Sequence, residues 1–166
     1  MTYHGPDLLT HAHQLQGFDC GRSALDDWLV RRALPNQSTG TSRTWVITSA
    51  DEARVVAYYA SATASVLRST APRAGTRKQP SELPALLLGR LAVDRRHTGR
   101  GLAAALLKHV LTKALEVSRA IGIRIVHAKD DHAVAFYARY GFVPSPVDPL
   151  TMMMLLEPQG PAIRRH

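Results

Sequence analysis

A chain of 166 residues is long enough for one domain with a full core, and 45% hydrophobic with 20% charged residues is an ordinary globular balance. No apolar run reaches membrane-spanning length and the N-terminus has no signal-peptide core, while the lone Cys20 excludes an internal disulfide framework and fits a reducing cytoplasm. Lys and Arg number 21 against 13 Asp and Glu, giving a net charge of +8 and a pI near 10.2, which favours a polyanionic partner such as nucleic acid or a phosphorylated ligand.

Residues 1–17 are polar, with a first strand expected across Leu8 to Leu15, and Phe18-Asp19-Cys20-Gly21 reads as a turn. Ser23 is placed to cap a helix through Ala33, with Leu25, Trp28, Leu29 and Ala33 at helical spacing. Asp26 and Asp27 sit in its first turn and Arg31 and Arg32 in its last, as the macrodipole favours. Pro35 should stop it, leaving Asn36 to Thr41 as a polar loop. Thr44 to Thr48 is a strand by β-branched and aromatic content, Asp51-Glu52 a hairpin turn, and Arg54 to Ser65 a longer strand antiparallel to the first. Residues 66–82, rich in Arg, Pro, Ser and Thr, read as a mobile loop.

The stretch from Ala85 to Leu107 organises the rest. An apolar run, Ala85 to Val93, ends in a polar turn, and Gly99 and Gly101 follow just ahead of a helix. A strand feeding a glycine turn and a helix N-terminus is an anion site, because the first helical N–H groups are unpaired and glycine lets a phosphate approach the backbone. The helix runs to Ile121, with Leu102, Leu106, Val110, Ala114, Val117 and Ile121 on one stripe, Lys108, Lys113 and Glu116 opposite, and Gly122 as its stop. Ile123 to His127 is the next strand, making a strand–helix–strand unit and a parallel pair. Asp130 or Asp131 can cap a short helix, Ala133 to Tyr140, ended by Gly141, and a last strand is expected around Met152 to Leu156. The fold class is a mixed α+β sheet, with no linker long enough to split the chain.

Three phosphate-binding patterns compete for the glycines. A P-loop needs a Lys-Ser/Thr pair after its last glycine, and Leu102-Ala103 stands there instead. Gly99, Gly101 and Ala104 satisfy the dinucleotide pattern G-x-G-x-x-A. Against it, about half the chain precedes the motif, Asp94 to Thr98 separate strand from glycine, and no acid lies about 20 residues on. The third pattern fits. Val93-Asp94-Arg95-Arg96-His97-Thr98-Gly99-Arg100-Gly101-Leu102-Ala103, with Leu106-Leu107 beyond, resembles the coenzyme A signature Arg/Gln-x-x-Gly-x-Gly/Ala of the GNAT-superfamily N-acetyltransferases. Arg96…Gly99…Gly101 matches it literally; Thr98…Gly101…Ala103 better keeps the spacing and is preferred, although Thr98 departs from Arg/Gln. Backbone N–H groups hold most of a pyrophosphate, so the departure is tolerable.

Phe136-Tyr137-Ala138-Arg139-Tyr140-Gly141-Phe142 resembles the superfamily's Phe-Tyr-x-x-x-Gly-Phe element. A narrower resemblance lies at the N-terminus. Gly17-Phe18-Asp19-Cys20-Gly21, Leu25 to Leu29, Arg32 to Ser38 and Ser42-Arg43-Thr44 are similar to the GNAT toxins of bacterial toxin–antitoxin modules. The resemblance implies a single GNAT domain over 1–166, with a mostly antiparallel sheet and a parallel pair splayed at the coenzyme site. It implies acetyl-CoA as co-substrate without a metal, and an activity that acetylates the α-amino group of aminoacyl-tRNA and stops translation. It implies as partner a cognate ribbon-helix-helix antitoxin through which alone operator DNA is bound. Similar proteins are commonly dimers, so a homodimer is an expectation; a membrane is not.

Carried onto these residues, the backbone of Leu91, Ala92 and Val93 pairs with the pantetheine arm as an added strand would. Thr98, Gly99, Arg100, Gly101, Leu102, Ala103 and Ala104 hold the pyrophosphate, with Asp130 a further coenzyme contact. The thioester lies between the diverging strands beside Tyr137, the general acid for the leaving thiolate. A phenol near pKa 10 stays protonated at neutral pH and can protonate a thiolate whose thiol is near 8.5. Tyr140 is the rival, assigned to packing or rim. No general base is evident, since Leu88, Gly89, Arg90 and Leu91 stand where some relatives place a glutamate. An α-amine near pKa 7.7–8.0 is already partly neutral, unlike a lysine near 10.4, so the missing carboxylate leans toward an α-amine substrate. Arg68, Arg73, Arg77, Lys78, Arg90, Arg95, Arg96 and Arg100 outnumber Glu82 and Asp94 across this region. Of these, Arg73, Arg77, Lys78, Arg90, Arg95 and Arg96 are assigned to tRNA phosphates, with coenzyme or antitoxin as competing loads. Cys20 reads as a small buried residue, His11-x-His13 is too sparse for a metal, His97 reads as a turn residue, and Trp28 and Trp45 as core. Two other functions stay open: acetylation of a protein N-terminus or small amine, and a vestigial nucleic-acid-binding regulatory subunit.

Overall fold

The structure is a computed structural model and describes residues 2–67, 82–121, 125–129, 133–146 and 151–156. In chain order the elements are β1 (Tyr3–Leu8), α1 (Ser23–Arg31), α2 (Ala33–Ser38), β2 (Arg43–Ser49), β3 (Val55–Leu67), β4 (Glu82–Val93), α3 (Leu102–Ile121), β5 (Ile125–Lys129), α4 (Val134–Arg139), β6 (Val143–Pro144) and β7 (Thr151–Leu155). The strands hydrogen-bond in the order β1-β2-β3-β4-β5-β7-β6. β1–β2, β2–β3, β5–β7 and β6–β7 are antiparallel. β4 and β5 are parallel, in register from Ala85↔Ile125 to Leu88↔Ala128, and β4 runs on past Leu88 to Val93. This is the mixed, mainly antiparallel sheet that the sequence predicts.

The chain divides into two compact units, residues 1–62 with 89–110 and residues 63–88 with 111–166. In the first, alternation along β2 and β3 sends neighbouring side chains to opposite faces. Val46, Tyr58 and Ala60 join Leu9, Phe18, Trp28, Leu29, Ala33 and Ala92 in one core beneath α1 and α2. Trp45 and Tyr59 face the other way, against His109 of α3, whose ring lies 4.8 Å from that of Trp45. Both faces are covered, which is why Val55 to Ala60 reads as an unbroken apolar run and is buried throughout. On α3, Leu102, Leu106, Val110 and Ala114 are buried, as the stripe requires. In the second unit Ala85 and Met153 form a small core with Ala64 and Leu155.

Several local expectations are corrected. The first strand is Tyr3–Leu8, not Leu8 to Leu15: Leu9 is already buried as an anchor, and Thr10 to His13 turn on a His13 N–H to Thr10 carbonyl bond. Ser23 does not cap α1, whose N-cap is Arg22 without a side-chain bond. Pro35 does not end the helical region. α1 ends at Arg31, and Pro35 sits in the first turn of α2, where its missing N–H had no helical acceptor to lose. Asn36 to Ser38 are therefore helical rather than loop. The cap of α4 is Ala133, not Asp130 or Asp131. The segment 66–82 is shorter than expected at both ends, because β3 keeps residues 66–67 and β4 takes Glu82; residues 68–81 lie outside the described residues, as does Gly122. Trp28 is core, whereas Trp45 is only half-buried.

Candidate active site

The end of β4 is tied to β3 by an Asp94 N–H to Val56 carbonyl bond of 2.8 Å. Ala92 faces the first unit's core, so Leu91 and Val93 take the opposite face. A single 3-10 turn, Arg95–His97, follows, and then Thr98 to Gly101 lead into α3. Gly99 and Gly101 have φ of +76° and +77°, the left-handed region that side chains with a Cβ rarely enter. A Cβ on either would meet no heavy atom within 4 Å. The demand for glycine is therefore conformational, and the face over both residues is open. α3 opens with an Ala105 N–H to Gly101 carbonyl bond of 3.0 Å, so the N–H groups of Leu102, Ala103 and Ala104 stand at the helix start without an intrahelical acceptor. Open space over donors at a positive helix end fits a phosphate. Thr98 is exposed and turns its hydroxyl back to the Arg95 carbonyl at 3.3 Å.

The turn hangs on a buried carboxylate. Asp94 is 1% exposed. Its Oδ1 accepts from the Arg96 N–H and Nε, each at 2.9 Å, and its Oδ2 from Arg96 Nη2 at 2.7 Å and the Asp19 N–H at 3.1 Å. Burial alone would push its pKa up, but the Arg96 side chain, the Arg96 and Asp19 N–H groups and the guanidinium charge prevail and lower it to about 2. Arg96 Nη2 also donates to the Gly17 carbonyl at 2.8 Å, Arg95 pairs with Asp19 at 2.6 Å, and the Arg95 N–H donates to the Asp19 carbonyl. Farther along, the Tyr3 hydroxyl bonds His97 Nδ1 at 2.9 Å and accepts from Arg100 Nη1 at 3.0 Å.

The basic residues thus differ in what already occupies them. Arg95 and Arg96 hold carboxylates, and Arg90 lies over the Trp28 ring, 4.3 Å from its centroid. Arg73, Arg77, Lys78 and Asp130 lie outside the described residues. Burial, then a hydrogen bond with Asp26, raises the Cys20 thiol to about 11, which makes it a poor nucleophile. Burial also raises the phenols of Tyr58 and Tyr59. Among the described residues no three His, Cys, Asp or Glu side chains gather as a metal site, and no helix is long and apolar enough to cross a membrane.

In the second unit, α4 places Tyr137 inward at 1% exposure, with its ring centroid 5.5 Å from that of Phe136 and 5.2 Å from that of Phe142. Tyr140 is 44% exposed. The two tyrosines are three residues apart on a helix of 3.6 residues per turn, yet Tyr140 is already past its last residue; its ring touches Phe136 at a centroid distance of 5.1 Å but stays exposed, whereas Tyr137 is buried. Sequence reasoning chose Tyr137 but passed over Asp94. Its signal was an acid between an apolar strand and Arg95-Arg96, in a region otherwise basic.

The model of the acetyltransferase (GNAT) domain matches residues 40–144, which hold both β4 with its glycine turn and α4 with Tyr137. The chain belongs to the GNAT acetyltransferase family. Among GNAT relatives, a tRNA-acetylating toxin of Mycobacterium tuberculosis is 40% identical over 157 residues, 93% of each chain. A solved structure of AtaT complexed with acetyl-methionyl-tRNAfMet has a TM-score of 0.84 at 27% identity, covering 93% of this chain and 94% of that one. Two further AtaT structures are also similar: AtaTR bound with acetyl-CoA, and a Tyr-to-Phe mutant toxin bound to the C-terminus of the antitoxin AtaR. Each has a TM-score of 0.76 at 26% identity, covering 93% and 92% of the two chains. The GNAT turn Asp94–Gly101 lies inside the matched span, whereas Tyr3, Gly17 and Asp19, which hold it, lie before its start.

Proposed function

We propose that this chain is the toxin of a toxin–antitoxin pair, one GNAT domain that transfers acetyl from acetyl-CoA to the α-amino group of aminoacyl-tRNA and so inhibits translation. The observation that carries the reading is the likeness to the tRNA-acetylating toxin across 93% of both chains, N-terminal block included. The AtaT complexes with acetylated tRNA, acetyl-CoA and antitoxin support the same co-substrate and partners here, a charged tRNA and a cognate antitoxin. The family resemblance adds that this antitoxin is of the ribbon-helix-helix class and brings operator DNA. The site of action is the cytoplasm, where charged tRNA is found.

Acetyl-CoA supplies the activated acetyl thioester. The N–H groups of residues 98–104 bind its pyrophosphate, with Arg100 adding charge, and the Leu91–Val93 backbone takes the pantetheine arm. Tyr137, protonated at neutral pH, gives its proton to the departing thiolate as the amine attacks the carbonyl. The amine needs no protein carboxylate, since an α-amine is partly neutral near pH 7.5; the proton it sheds as the C–N bond forms and the C–S bond breaks passes to water, and solvent restores the Tyr137 phenol. Arg73, Arg77, Lys78, Arg90, Arg95 and Arg96 are the cations proposed for tRNA phosphates, the last two already paired with Asp19 and Asp94. Labelled acetyl-CoA offered to charged and deacylated tRNA tests the reading: label should enter only the charged form. Transfer to protein amines with none to tRNA would move the assignment to a protein or small-amine acetyltransferase.

A further inference from the structure

Asp94 is an odd residue to find at 1% exposure beside an open, basic turn. A buried carboxylate is expensive unless every oxygen is matched, and here both oxygens are, entirely by protein donors. Those donors come from two places. Arg96 belongs to the turn itself; the Asp19 N–H belongs to a segment far earlier in the chain. Arg96 closes the loop by reaching the Gly17 carbonyl, and Arg95 adds a second bridge to Asp19. At the other end of the turn the Tyr3 hydroxyl engages both His97 and Arg100. The turn has two glycines in the left-handed region and an open face, so little else fixes the directions of its N–H groups.

Resting on the coenzyme reading above, we propose that Asp94 is the positioning residue of the pyrophosphate turn and that the Gly17–Asp19 segment is the wall to which it anchors that turn. The N-terminal segment ahead of the GNAT match is then part of coenzyme binding. A second consequence concerns charge. Arg96 spends its guanidinium on Asp94 and Gly17, so it drops out of the tRNA-binding set.

Acetyl-CoA binding to the full chain is measured by calorimetry, and acetyl transfer to aminoacyl-tRNA by steady-state kinetics, for wild type, Asp94→Asn and Arg96→Gln. In both variants Kd and KM for acetyl-CoA should rise by about 10-fold or more, while kcat at saturating acetyl-CoA stays within about 2-fold. The double variant should bind no worse than the weaker single one, because both remove one network. Arg96 is surface-placed, so Arg96→Gln keeps the test alive should Asp94→Asn not fold. Unchanged Kd in Arg96→Gln, or a fall in kcat at unchanged KM, overturns the proposal. A wild-type chain that binds no acetyl-CoA overturns the coenzyme reading itself, a separate failure. The salt dependence of KM for tRNA should have the same slope in Arg96→Gln as in wild type; a slope reduced by about one contact's worth would return Arg96 to the tRNA surface.

Discussion

The turn after β4 and the helix α4 are both short and both carry a family motif, but they are built on opposite physics. The turn is polar and exposed, and its shape is set by backbone dihedrals and by the buried Asp94 carboxylate, paired with an Arg96 side chain that stays exposed. Its side chains are structural, and its chemistry is in its N–H groups. α4 is an apolar packing element: Tyr137 is buried among Phe136 and Phe142, and its chemistry is in a single hydroxyl. Changes in the turn should therefore be read in binding and stability, and changes in α4 in turnover.

The largest expected effect tests the α4 half of that contrast. Tyr137→Phe keeps the ring packing and removes the proton donor. Acetyl transfer kcat should fall by roughly 10²- to 10³-fold with KM for acetyl-CoA nearly unchanged, and growth arrest on expression should be relieved. An equal loss in acetyl-CoA affinity would show that Tyr137 acts through binding instead. Next, Asp94→Asn should lower the unfolding free energy by about 2 kcal/mol at pH 7, measured by denaturant titration. Folding holds this carboxyl at about 2 against an ordinary 3.8, so it favours the ionised form. The contribution is complete above the ordinary value and drains away as pH falls toward about 2, where wild type and variant should converge. Convergence already at pH 5 would mean that the carboxyl is not held low.

Gly101→Ala sharpens the backbone half. The new Cβ meets open space, so the cost is the left-handed φ alone, about 1–2 kcal/mol. A turn that relaxes its dihedrals to escape this strain misdirects its N–H groups, so acetyl-CoA should bind more weakly while kcat at saturation persists. Smallest of all is Cys20→Ser, next to the wall of the turn. With the thiol raised to about 11 it stays protonated at pH 7, so activity should hold within about 2-fold and iodoacetamide should label wild-type Cys20 slowly. Rapid labelling with loss of activity would place reactive chemistry on this side of the turn.

Most of the site was legible because its motifs are local. Gly99, Gly101 and the helix from Leu102 are neighbours in sequence, and the left-handed turn they form needs no distant contact to be recognised. Motif order is what sets Tyr137 ahead of Tyr140; the structure buries the first and leaves the second exposed. What stayed hidden depended on distant partners. Asp94 looked like one more polar turn residue because Gly17 and Asp19, which give it its role, lie some 75 residues earlier. Arg95 and Arg96 looked like free cations for the same reason. The first strand was misplaced because Tyr3–Leu8 has mixed polarity and, among the described strands, lies at the sheet edge beside β2, and an edge carries a weak alternation. Pro35 misled because its effect depends on whether it falls in a helix interior or a first turn, and that is set by where α1 ends.

By itself, then, the sequence determined most of the longer strands and helices, the glycine turn and the basic excess, since each follows from near-neighbour sterics, periodicity or composition. Tertiary structure alone decided which charges are spoken for. A cation in a sequence is only a valence; whether Arg96 faces a phosphate or a buried Asp94 depends on a carboxylate that folding removes from water and can keep ionised only by giving it that arginine.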